Sequence, residues 1–92
     1  MFKIVVNSKE FQVKPIGNVG FEEWMDGYQV INNEGKVGEI HIAKDERFFE
    51  WEMWEDGFFT DEELYGYNFR GQAFTDVYGE DIMDSITEYL VA

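Results

Sequence analysis

The first residues of the chain alternate. Phe2, Ile4 and Val6 take every second position between Lys3, Val5 and Asn7, and Phe11 and Val13 resume the pattern against Gln12 and Lys14. A period of two is a strand signature, because successive strand side chains point to opposite faces. The two runs predict a β-hairpin that turns at Asn7-Ser8, where asparagine tolerates left-handed backbone. Pro15 and Gly17 are expected to end the second strand, with Pro15, which lacks an N–H, at a sheet edge.

The next segment, FEEWMDG at 21–27, sets Phe21, Trp24 and Met25 at i, i+3 and i+4. That spacing fits one or two helical turns ending at Gly27, or a loop pinned by Trp24. From Tyr28 to Glu55 the pattern predicts a three-stranded meander: YQVIN, a turn at Asn32–Gly35, a strand over about Val37–Ala43, a turn at Lys44–Arg47, and a third strand. In the third strand strict alternation would put Phe49, Trp51 and Met53 on one face, and Phe48, Glu50, Glu52 and Trp54 on the other.

Beyond it the period changes. Thr60 and Glu63 have capping-box spacing, with Asp61 and Glu62 suited to the positive end of a helix dipole, and Gly66 limits that helix to a short one. YNFRGQAF reads as a loop or a further short strand. In DVYGEDIMDSITEYLVA an apolar stripe of Ile82, Met83, Ile86, Tyr89 and Leu90 opposes Glu80, Asp81, Asp84, Ser85 and Glu88, which predicts an amphipathic helix lying on the sheet. The expected fold class is α+β: an antiparallel sheet of about five strands, made of the N-terminal hairpin and the meander, covered by one or two helices. No linker or low-complexity run divides the chain, so residues 1–92 are read as a single compact domain.

Composition supports a packed core. Apolar residues form 45% of the chain and aromatics 18%, more than a disordered polymer carries, and the absence of cysteine leaves packing to hold the fold. No segment has the pattern of a signal peptide or the roughly 18 apolar residues of a membrane span, so a cytoplasmic protein is expected.

Charge changes the picture most. The formal net charge is −13, unevenly placed: residues 1–47 hold 8 acidic and 6 basic side chains, whereas 48–92 hold 12 acidic ones and a single base, Arg70. Such a surface disfavours direct binding to nucleic acid or to an anionic membrane, and it favours a cationic partner.

Candidate chemistry is sparse. With Gly57 at the sixth place of an EF-hand loop, Asp56, Thr60 and Glu63 fall at places five, nine and twelve, but Glu52 and Trp54 occupy one and three, where short oxygen ligands are required. A strand, a turn at Asp56-Gly57 and a capped helix account for the same residues without an ion, and no metal or other cofactor is expected. His41 is the only histidine and is expected to be a solvent-facing strand residue beside Glu39. Ser8 and Ser85 lack a nucleophile-elbow context, GNVG at 17–20 lacks the lysine of a phosphate loop, and carboxylates this abundant do not specify an acid–base pair. An enzyme is not expected.

The acidic face remains. Glu50 and Glu52 would project from one side of a strand about 6.6–6.8 Å apart, an interval of the order of nucleic-acid phosphate spacing. Glu39 would join them from the neighbouring strand, Asp56, Asp61, Glu62 and Glu63 would carry the patch round the turn, and the acids of the last helix would extend it. Phe48 and Trp54 on the same strand face would supply aromatic anchors. These features lead to the expectation of a small non-enzymatic inhibitor or nucleic-acid-mimicking decoy for a basic nucleic-acid-binding protein. In size and charge the chain resembles the acidic inhibitors of phages and mobile elements, such as anti-CRISPR and anti-restriction proteins. That likeness is one of class and assigns no residue. An adaptor using an aromatic protein-binding surface is the alternative, and a calcium-binding module a third.

Overall fold

The computed structural model describes residues 1–20, 24–45, 48–63 and 74–91. Five strands, β1 (Phe2–Val6), β2 (Lys9–Val19), β3 (Met25–Ile31), β4 (Val37–Ala43) and β5 (Phe49–Trp54), form one antiparallel sheet in the order β1-β2-β3-β4-β5. A single long helix, α1 (Phe74–Val91), completes the α+β fold. The expected hairpin and meander are thus one continuous meander, joined where β2 pairs with β3.

The first turn follows the sequence closely. Asn7 (φ 51°) and Ser8 (φ 65°) are both left-handed, the geometry of a two-residue hairpin turn whose twist matches its strands. The register Phe2↔Val13 to Val6↔Lys9 is unbroken and sets Ile4, Val6, Phe11 and Val13 into the core. The second strand, however, does not end at Pro15. It runs on to Val19 through a bulge between Pro15 and Gly17. Because β1 starts at Phe2, opposite Val13, the stretch from Lys14 to Val19 has a partner on its β3 side alone. Pro15 therefore sits at a local edge, as its missing N–H demands, inside a strand that continues.

The helical reading of 21–27 fails. Met25–Gly27 opens β3, which pairs with Ala43–His41 on one side and Val19–Gly17 on the other, while 21–23 lie outside the described residues. Local i, i+3, i+4 spacing lost to pairing on both flanks. The turn at 32–36 is built by Asn32, whose Oδ1 accepts the N–H groups of Glu34 and Lys36 at 3.0 and 2.9 Å. Arg47, the end of the Lys44–Arg47 turn, and the whole YNFRGQ stretch lie outside the described residues; Phe74 begins α1.

The helix covers one sheet face and crosses from β5 to β1. At its N-terminal end Trp51 Nε1 donates to the Thr75 carbonyl at 2.9 Å, and Gly79 meets β5 so closely that a Cβ there would lie 2.2 Å from Phe49 Cε2. At its C-terminal end Tyr89 stacks on Phe2, 4.0 Å between centroids and 3° from parallel. Ile82, Met83 and Ile86 are buried as the stripe requires, and Tyr78 and Gly79 extend the stripe toward the N-terminus. Leu90 stays half exposed. The core under the β5 end of the helix is aromatic: Phe11, Trp51, Phe58, Phe59 and Tyr78 meet mostly edge to face at 4.8–6.0 Å, the geometry ring quadrupoles favour.

Candidate functional site: an acidic edge and an open sheet face

The sheet face away from α1 is the place to look for the expected partner surface. Residues that alternate with the core positions point there: Lys3, Val5, Gln29, Glu39, His41, Phe48 and Glu50. On this face His41 is not the solvent-facing residue expected from sequence. It is 9% exposed, and its Nε2 lies 2.6 Å from Glu39 Oε2. Its neighbour on β3 is Gly27, over which Ile16 leans so closely that a Cβ would meet Ile16 Cγ1 at 2.7 Å. The bulge at Pro15/Gly17 thus brings Ile16 and Val19 over the glycine, and a small apolar cluster with Met25 forms on the open face. A histidine beside such a cluster is excluded from water without any layer above it.

β5 departs from strict alternation, with consequences for the site. Ile40 pairs with Trp51, but the next residue back along β4, Glu39, pairs with Met53, so Glu52 is an inserted residue. A bulge of this kind reverses the facing of everything beyond it. Met53 therefore joins Glu39 on the open face. Trp54 turns to the helix side, edge-on to Trp51 at 6.0 Å and to Phe59 at 5.4 Å. The expectation that Trp54 shares a face with Glu50 is overturned, and with it the expectation that Met53 shares a face with Phe49 and Trp51. Trp54 remains 42% exposed, a surface ring resting on Trp51 and Phe59.

The other expected site residues lie along β5 and the turns that follow it. Glu50 is exposed opposite His41, and Glu52 is exposed at the bulge. Asp56 lies in the turn that follows β5, which Gly57 closes at φ 90° and Phe58 N secures by donating to the Glu55 carbonyl. Asp61 and Glu62 are exposed in the helical turn 61–63. Glu63 is engaged internally. Its N–H donates to Thr60 Oγ1 at 3.1 Å, while its carboxylate accepts the Thr60 hydroxyl and pairs with Lys9. The capping residues are those expected, but the carboxylate meets the hydroxyl and a lysine, which makes Glu63 a clamp between this turn and the first hairpin. The acids of α1 do not extend the open-face patch, because the helix lies on the opposite side. Asp76 and Glu80 instead ride on the helix end that packs over β5.

Two residues were missed. Trp24, read as a helix or loop pin, stacks on Phe48 at 5.9 Å and 19°, both rings half exposed at 47% and 49%. Glu55 accepts the Val37 N–H on its Oε1 at 3.0 Å and continues the β4–β5 ladder past Trp54. No local signal marks the Trp24–Phe48 pair, since the two residues meet only across the end of β4.

Sheet order also sorts charge. Residues 1–20, the β1–β2 hairpin, hold three lysines and one glutamate, whereas 48–63, which contain β5 and its turn, hold seven acids and no base. Strands β1 and β5 lie at opposite edges of the sheet, but the chain after β5 crosses back beneath it, so that Glu63 reaches Lys9. A recess of about 140 Å³ near the end of the core is floored by Phe11, Phe58, Phe59 and Tyr78, with the Lys9–Glu63 pair in its lining. Among the described residues no group of three His, Cys, Asp or Glu side chains is arranged to hold a metal, and no helix is long and apolar enough to cross a membrane. Comparison with known protein families, with curated proteins and with solved structures finds no match to this chain.

Proposed function

We propose that the chain is a small cytoplasmic, non-enzymatic binding protein, an inhibitor or nucleic-acid-mimicking decoy for a basic nucleic-acid-binding partner. One observation carries this reading: β5 and the turn after it set Glu50, Glu52, Glu55 and Asp56, with no base in that stretch, along one edge of the sheet, while β1 with Lys3 forms the other edge. A charge face on strands and a capped turn is rigid, so it meets a cationic groove without the entropy cost of ordering a flexible tail. Like-charge repulsion within the edge destabilises the folded chain, and a basic partner relieves it.

The test is capture of partners from a cell lysate on immobilised protein, with salt as the variable. Binding to a basic protein should weaken steeply as ionic strength rises. Reversing Glu50, Glu52, Asp61 and Glu62 to lysine should abolish capture without changing the melting transition, because all four are exposed. Recovery of no basic protein, or equal binding by the reversed variant, rejects the decoy.

A second reading, an adaptor with an aromatic docking surface, is favoured by the half-exposed Trp24–Phe48 pair. It differs in its response to salt: apolar docking persists at ionic strengths that dissolve a charge-driven complex.

A further inference from the structure

The geometry points to an arginine-selective docking point at the margin of the open sheet face, where Trp24 stacks on Phe48; the inference rests on the decoy reading and names the side chain its partner presents. Rings of the core are enclosed by their neighbours, but these two leave about half their surface to water over the end of β4, where Ala43 is buried. With centroids 5.9 Å apart and an interplanar angle of 19°, the rings are stacked near parallel, leave no slot between them, and present an outward aromatic platform where each is half exposed. Glu50 lies two residues from Phe48 on the same face of the strand, about 6–7 Å along it. Glu39 is taken up by His41, whereas no described side chain bonds the Glu50 carboxylate. Lys44 donates its backbone N–H to the Trp24 carbonyl and lines a recess on the helix side with Asp26 and Leu90.

An apolar platform beside an open carboxylate selects its occupant by charge and by shape. A second copy of the chain is disfavoured, since it would bring −13 against −13. Among cations, a guanidinium is planar, weakly hydrated and able to stack on a ring while donating in a fork to a carboxylate, whereas an ammonium is a strongly hydrated point charge. The platform and Glu50 together therefore fit arginine better than lysine.

Titration of the protein with a hexa-arginine and a hexa-lysine peptide, followed by the indole N–H resonances, tests this. Trp51, whose indole bonds the Thr75 carbonyl inside the core, serves as the internal reference. The arginine peptide should bind about two- to fivefold tighter than the lysine peptide, the range of an exposed cation–π contact, and should move the Trp24 signal while leaving Trp51 in place. Trp24→Ala with Phe48→Ala should equalise the peptides, and Glu50→Gln should weaken the arginine peptide more than the lysine one. Trp24→Leu serves where the double variant melts early. Equal binding of both peptides with Trp24 unmoved overturns the arginine site and leaves the decoy standing; so does an arginine preference that survives loss of both rings. Failure of both peptides to bind rejects the site and the decoy together.

Discussion

The two edges of the sheet are built by different rules. β1 is a plain edge: five residues, unbroken register, side chains alternating between core and solvent, and lysines on its hairpin. β5 is a disturbed one. It carries an inserted glutamate, sends Phe49, Trp51 and Trp54 all to the helix side, and is fastened to the helix by Trp51 and by the close approach of Phe49 to Gly79. Exposed edges invite pairing with other chains, and a bulge together with inserted charge is a recognised defence. The disturbance at Glu52 thus blunts the edge, and the same step turns Trp54 to the helix side against Trp51 and Phe59.

The contrast is sharpest in how each edge holds the helix. Trp51→Ala removes a ring in contact with Trp54, Phe58 and Phe59 and also a hydrogen bond, and should cost about 3–5 kcal/mol in a denaturant melt. Tyr89→Ala at the β1 end removes a single stacked pair at the surface and should cost about 0.5–1.5 kcal/mol. Equal losses from the two would mean that β5 is not the dominant anchor. Gly79→Ala probes the same contact from the helix. Alanine would gain about 1 kcal/mol in helix propensity, but its Cβ would sit 2.2 Å from Phe49 Cε2 and 2.8 Å from Trp51 Nε1, so something must shift. Overpacking of this kind costs about 1–3 kcal/mol, and the melting point should fall; a rise would show that the ring yields freely.

The smallest expected effect belongs to the plain edge. Ser8 holds φ 65°, a conformation costing a non-glycine residue about 1–2 kcal/mol, partly offset by the greater unfolded-state entropy of glycine. Ser8→Gly should therefore stabilise the hairpin by about 0.5 kcal/mol or somewhat more, raising the melting point without changing spectra of the β5 aromatics. No gain would mean that the turn is less strained than its φ implies.

How far the sequence could be read follows the same division. At β1–β2 alternation is undisturbed, so the turn and all four core positions, Ile4, Val6, Phe11 and Val13, were legible. At β5 the strand was legible but the facing of its last residues was not, because a bulge adds one residue without altering local composition. For the candidate site, Phe48 and Glu50 were placed on one face as expected, Trp54 was not, Glu63 proved to be held by Lys9, and Trp24 was invisible. Each miss is a contact between residues distant in sequence.

By itself, then, the sequence determined the elements that depend on local periodicity: an α+β chain with an N-terminal hairpin, strands at Val37–Ala43 and near Phe49–Trp54, a capped turn at Thr60 and an amphipathic C-terminal helix, all in a strongly acidic chain. Only the tertiary structure decided that Met25–Gly27 is strand, that Trp54 turns to the helix side, that His41 is sealed on the open face, and that Glu63 is held by Lys9 of the first hairpin. The physical reason is that periodicity records which way each side chain points within its own element, whereas register, bulges and strand order are set by pairing energies between elements.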